Sequence, residues 1–322
     1  MRIGRRALMT LAAATTARQA LAQEDEYPSR TIRLVVPRAP GGGSDIIARL
    51  LTPSLSARLG QTVVVENRSD AAAVIGTELV SRARPDGYTL YLADNAFYFN
   101  PSIQPNLPYD TLRDFSAVTM LAQGPVILIV NAAVPARNLA ELVALAKAQP
   151  GTLTFASGGI GSSTHFAGVL LNLQAGIDTT HVPFRSSGPA LSALLSGQVT
   201  MQFGGISSAR KLIESGEIRA IALTGEARDP SMPDVPTFTE AGVSGVDVNS
   251  YWGMHAPANT PLAIRRKLRD LIAASMREPE LNRRLREAAY SPVLNTPEEH
   301  QAQTNAVVAK WIEIGKRVNL NT

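Results

Sequence analysis

A chain of 322 residues with 45% hydrophobic and 18% charged residues has an ordinary globular composition and enough length for a full core and two domains. It holds no cysteine, which excludes disulfides, thiolate metal sites, a cysteine nucleophile and a lipid-modified N-terminal cysteine. The net charge of +4 belongs to the first 22 residues, where Arg2, Arg5, Arg6 and Arg18 lie without an acid; beyond them 27 basic residues face 27 acidic ones, which leaves no electrostatic footprint for nucleic acid.

Residues 1–22 read as a cleavable export signal. Arg2, Arg5 and Arg6 form a positive n-region, "ALMTLAAATTA" a modest apolar stretch, and Ala20-Leu21-Ala22 an A-x-A cleavage site. The Arg5-Arg6 pair is compatible with the twin-arginine route. A membrane anchor is the competing reading, but the apolar part is too short to cross about 30 Å of hydrocarbon. No later apolar run approaches spanning length, so the expectation is a soluble periplasmic protein.

Short β-branched runs then alternate with helical patterns, the signature of parallel α/β units. "TIRLVV" (31–36), "TVVVE" (62–66) and "TLYLA" (89–93) predict strands. Between the first two, Ile47, Leu51, Leu55 and Leu59 recur at i+4 as a helical stripe, stopped by Gly60 and expected to kink or step at Pro53. A helix carrying Ile75, Leu79 and Val80 follows, then a turn at "RPDGY". A second series starts near "PVILIVN" (125–131), with strands at 153–156, 181–184, 199–203 and 219–223. Its helices are expected around 137–148, after Ser163, and around 189–196 and 207–214. From 261 onward the chain reads as helical and charged. Two α/β lobes connected near 125 and again near 250 account for this order.

Two stretches carry the candidate chemistry. "PRAPGGGSD" (37–45) leaves a strand and opens a helix, which exposes unpaired N–H groups at the positive end of a helix dipole and favours a phosphate or carboxylate. Ser44 reads as the N-cap, and Asp45 as loop support rather than a ligand contact, because a carboxylate repels an anion. The stretch matches neither dinucleotide nor P-loop fingerprints, and a tight capped turn is its bland alternative. "ASGGIGSSTHFAG" (156–168) repeats the logic in the second series. Two anion-ready helix starts, one per lobe, point to a ligand cleft between them. Arg38 and Arg185 flank these loops and are candidate carboxylate clamps, with a solvated surface position as the alternative. The four histidines show no metal-ligand spacing and no nucleophile motif occurs, so neither metal, cofactor nor catalytic residue is expected.

Seven segments in order, "YPSRTIRLVVPRAPGGGSDIIARLL", "ARPDGYTLYLADNA…NPSI", "LPYDTLRDFSAVTML", "ASGGIGSSTHFAG", "HVPFRSSGPALSALLSGQVTMQFG", "IRAIALTGEARDPSMPDVPTFTEAG" and "WGMHAPANTP", resemble the Bug-type periplasmic solute receptors of tripartite tricarboxylate transporters. The resemblance implies a type II periplasmic-binding-protein fold: a signal peptide (1–22), lobe 1 (23–125 plus 251–322) and lobe 2 (126–250). It implies a monomer that holds a small organic carboxylate, a di- or tricarboxylate among the options, between its lobes and passes it to membrane subunits. Carried over by position, the binding set is Arg38, Ala39, Pro40, Gly41, Gly42, Gly43 and Ser44, supported by Asp45. The second lobe adds Ser157, Gly158, Gly159, Gly161, Ser162, Ser163 and His165, with Asn95, Arg185 and Ser186 beside them. This chain departs from the family pattern at Arg38, at Asp70, Ala72 and Ala73, at the aromatics Phe97, Tyr98 and Phe99, and at "SSG" (186–188), all expected at or near the cleft. A ligand-presenting receptor for a membrane sensor kinase fits the same residues, and an exported enzyme would need an activated residue that the sequence does not display.

Overall fold

The computed structural model describes residues 27–40, 43–70, 72–287 and 289–317, so the predicted leader and Gly41 and Gly42 lie outside the described residues. Its first part runs β1 (Ile32–Val36), α1 (Gly43–Leu59), β2 (Val63–Asn67), α2 (Val74–Ser81), β3 (Thr89–Ala93), α3 (Asn95–Ile103) and β4 (Phe115–Pro125). Then follow β5 (Ile127–Asn131), α4 (Leu139–Ala148), β6 (Thr154–Ser157), α5 (Ser163–Ala175), β7 (Thr180–Pro183), α6 (Ser187–Leu195), β8 (Met201–Gly204), α7 (Ile206–Glu214) and β9 (Ile218–Leu223). The chain closes with β10 (Asn249–Pro257), α8 (Leu262–Met276), α9 (Pro279–Glu287), β11 (Ser291–Pro292) and α10 (Pro297–Arg317).

Two sheets organise these elements, ordered β11-β4-β10-β3-β1-β2 and β7-β6-β8-β5-β9. The expected parallel pairing holds for β1 with β2 and β3, and for β6 with β7 and β8. One inner strand in each sheet runs the other way: β10 pairs antiparallel with β3 and β4, and β5 with β8 and β9. The chain passes between sheets at Val126 and returns after β9, and the two passages are tied where Val126 N–H donates to Thr224 Oγ1 (2.8 Å) and Thr224 N–H to Val126 O (2.9 Å).

Apart from the exposed Arg33, both faces of β1 are buried, as a strand covered by helices on each side requires. Ile32, Leu34 and Val36 pack with Ile47, Leu51 and Leu55 of α1 and with Leu268, Ile272 and Met276 of α8; Val35 points into a different cluster. The i+4 stripe of α1 is thus its buried face, and Gly60 ends the helix with φ +67 as expected. Pro53 lies inside the helix, which continues unbroken to Leu59.

The cluster that takes Val35 extends across both sheets. Phe99 of α3, Phe166 of α5 and Trp311 of α10 meet there, with ring centroids 4.4–4.8 Å apart. Phe97, Tyr98 and Phe99 are all buried in it. Those aromatics are core residues of α3 rather than cleft lining, because the stretch "NAFYFNPSI" coils into a helix and turns them inward.

Candidate functional site

In parallel α/β units the loops after the carboxyl ends of the strands build the site. Here those ends are Val36, Asn67 and Ala93 in the first sheet and Ser157, Pro183 and Gly204 in the second. Ile103 at the end of α3 lies against the second loop: a Cβ on Gly161 would come within 3.0 Å of its side chain. Ser163 Oγ and Ser250 Oγ of β10 are 3.0 Å apart, so the start of α5 stands at the boundary between the two sheets.

The first loop is fastened from behind. α1 begins at Gly43, which places Ser44 inside the first turn rather than at the cap, and both Ser44 and Asp45 are buried. Asp45 accepts from Arg49 Nε (2.9 Å) and from Asn67 Nδ2 (2.9 Å), and the same Asn67 amide donates to Arg38 O (2.9 Å). This is a supporting carboxylate. Arg38 is already paired: its Nε donates to Asp94 Oδ2 and its Nη2 to Asp94 Oδ1 (3.3 Å). The Asp94 charge, set against burial, raises the Arg38 pKa further above its ordinary value. Asp94 also caps α3 by accepting from Ala96 N–H (3.0 Å). Asn95 uses both ends of its amide on β10, donating to Asn249 O (2.9 Å) and accepting from Tyr251 N–H (3.1 Å).

The departure at Asp70 has a defined consequence. Its carboxylate accepts from the N–H groups of Ala72, Val74 and Ile75 at 3.1–3.3 Å, so the start of α2 carries its own anion. Ala73 sits there at φ 61, the left-handed region that favours the glycine of the family pattern.

In the second loop most glycine amides serve the loop itself. Gly158 N–H donates to Thr164 Oγ1 (2.8 Å), Gly159 N–H to Ser157 Oγ (3.1 Å) and Gly161 N–H to His165 Nδ1 (3.3 Å). Ser162 caps α5 by accepting from His165 N–H (3.2 Å), and its hydroxyl donates to Gly159 O (2.6 Å). His165 is fully buried beneath the loop, stacked on His181 at 4.4 Å, and His181 Nε2 is 2.7 Å from Ser157 Oγ. Among the described residues, the N–H groups of Ser163 and Thr164 at the head of α5 have no acceptor in the chain. Beside this loop, Ser186 precedes α6 without a side-chain cap bond, and Arg185 is exposed with no ion pair among the described residues.

The structure therefore brings Arg38, Ala39, Pro40, Gly43, Ser44, Asp45 and Asn95 to the strand ends of one sheet, and the 157–165 loop with Arg185 and Ser186 to those of the other. Sequence reasoning missed Asn67, Asp94 and Ser250. Asn67 and Asp94 stand at or just past the carboxyl ends of β2 and β3, a positional signal that was available.

Residues 47–320 match the family described as tripartite tricarboxylate transporter family receptor. Protein BugT of Bordetella pertussis is 32% identical to this chain over 289 residues, 89% of each. The solved structure of R. palustris Rpa4515 with adipate has a TM-score of 0.80 at 32% identity, covering 90% of this chain and 97% of that one. MatC from Rhodopseudomonas palustris with bound malate has a TM-score of 0.78 at 31% identity, covering 90% of this chain and 100% of that one. Two lobes of mixed α/β build with a loop-lined boundary, matched over nearly the whole folded chain, place it in the Bug-type receptors of the tripartite tricarboxylate transporter family.

Proposed function

We propose that this protein captures a small organic acid with two or more carboxylates between its lobes in the periplasm and delivers it to the membrane subunits of a tripartite transporter. The observation that carries the reading is the pair of N–H groups at Ser163 and Thr164, without acceptors, at the positive end of α5 and at the inter-sheet boundary. One carboxylate accepts from them. Arg185, exposed next to the Gly159 loop, is the cation available to a second acid group, whereas the Arg38 charge is already balanced by Asp94. The adipate and malate of the two relatives, both di-acids, favour the same ligand class.

In this reading residues 1–22 are an export leader removed on the way to the periplasm, and 23–125 with 251–322 and 126–250 are lobes that close on the ligand as a monomer. The remaining described candidates, Ala39, Pro40, Gly43 and Ser44, form the opposing wall, and Gly41 and Gly42 belong to the same candidate set. The protein binds and releases its ligand unchanged; it is not an enzyme.

Gly159 tests the loop. Its φ of +115 suits glycine alone, and a Cβ there would lie 3.2 Å from Phe184 O. Gly159→Val is expected to stay folded and to lose at least about 100-fold in affinity for malate or adipate, whichever the wild type binds, because the turn that aims the α5 amides is rebuilt; a charged hydrogen bond is worth roughly 1.5–3 kcal/mol and two are at stake. Isothermal titration measures it. Undiminished affinity in the variant places the carboxylate elsewhere.

A further inference from the structure

Away from the carboxylate site, a cavity of about 490 Å³ opens between α7, which follows β8 of one sheet, and α9, which precedes β11 of the other. Arginines dominate its lining: Arg210 from α7 faces Arg277, Arg283 and Arg286. Arg283 is neutralised by Glu280 and Glu287. The others are not. The Arg286 guanidinium only donates Nε to Asn282 Oδ1 (2.7 Å), and the guanidinium groups of Arg277 and Arg210 make no ion pair or hydrogen bond among the described residues. Nε and Nη2 of Arg210 are moreover sealed from solvent without an acceptor. A guanidinium whose N–H groups are buried without acceptors is unfavourable unless something supplies them, and oxyanions fit its planar donor fork.

We propose that this cavity is a second ligand site, one that takes a small oxyanion of two or more negative charges held between Arg210 of one lobe and Arg277 and Arg286 of the other. A single tetrahedral group satisfies Arg210, and the remaining volume accommodates a second charged group at the α9 side. None of these residues belongs to the carboxylate site, so the two sites stand or fall separately.

The test is thermal unfolding of the full folded protein with inorganic pyrophosphate as probe, at fixed pH and ionic strength. Pyrophosphate at about ten times its dissociation constant should raise the wild-type Tm by about 2–4 °C. Arg210→Gln and Arg286→Gln should each lose at least half of that rise, while Arg84→Gln, on a remote exposed turn, should keep it. Arg286 is exposed, so its variant carries the test if Arg210→Gln does not fold. No rise in the wild type, an undiminished rise in Arg286→Gln, or an equal loss in Arg84→Gln overturns the proposal.

Discussion

Acidification from pH 6.5 toward 3 should strip several kcal/mol of stability from this protein through two buried histidines. His255 on β10 and His300 on α10 are 1% and 0% exposed, with their Nε2 atoms 3.2 Å apart and the Tyr98 hydroxyl 3.3 Å from His255 Nε2. Only glycine leaves room for this trio, since a Cβ at Gly253 would lie 2.2 Å from Tyr98 Oη and 2.7 Å from His300 Nε2. Burial lowers the His300 pKa to about 3, and burial with repulsion from His300 lowers that of His255 well below its ordinary value. Both are therefore neutral when folded but take a proton near pH 6.5 when unfolded. Their contribution is fully present above about pH 6.5 and is lost as pH falls from there toward 3. The slope is about 1.4 kcal/mol per pH unit for a group that takes up a proton only on unfolding, so two units cost roughly 2–3 kcal/mol through His300, and His255 adds a loss of the same sign. Urea midpoints of wild type and His300→Gln at pH 7 and 4.5 measure it. The variant starts lower at pH 7 but should lose about 2–3 kcal/mol less on acidification; an equal loss in both proteins would mean that His300 does not titrate differently on folding.

Trp311→Ala should cost about 3–5 kcal/mol, the usual range for truncating a buried tryptophan. Trp311 is 2% exposed and its ring lies 4.8 Å from Phe99 of α3 and 4.4 Å from Phe166 of α5. The C-terminal helix thus presses one side chain onto elements of both lobes, and the cavity left by alanine would sit where they join. Trp311→Phe keeps most of the ring contact and should cost clearly less. Urea denaturation of both variants decides the matter: a loss below about 1 kcal/mol in Trp311→Ala would show that the inter-lobe aromatic contact adds little.

Much of this architecture was legible because its signals are local. Strand β1 ends in a glycine loop, α1 shows its i+4 stripe, and Gly60 stops it with a positive φ. The antiparallel strands β4 and β10 escaped notice for a physical reason: both are mostly buried on both faces, which erases the alternation, and their partners lie more than 120 residues apart. α3 was hidden by Pro101 and by three aromatics that mimic a strand. In the site, loop positions followed from glycine and serine after a strand end. What those loops do with their donors did not, since the acceptors are remote: Asp94 neutralises Arg38 from 56 residues away, and Asn67 reaches Asp45 across 22. Asp70 was visible as a departure, but only the geometry places its carboxylate on the α2 amides.

A carboxylate held at the boundary between the lobes and released unchanged should travel with the purified protein. Native mass spectrometry of freshly purified protein, followed by denaturation and identification of what is released, addresses it most directly. The expected result is a one-to-one adduct with the mass of a small organic acid, recovered intact after prolonged incubation, replaceable by an added di-acid and absent from Gly159→Val. A protein that carries no acid and binds none of a panel of mono-, di- and tricarboxylates, or that converts an added acid to a new product with time, would contradict it.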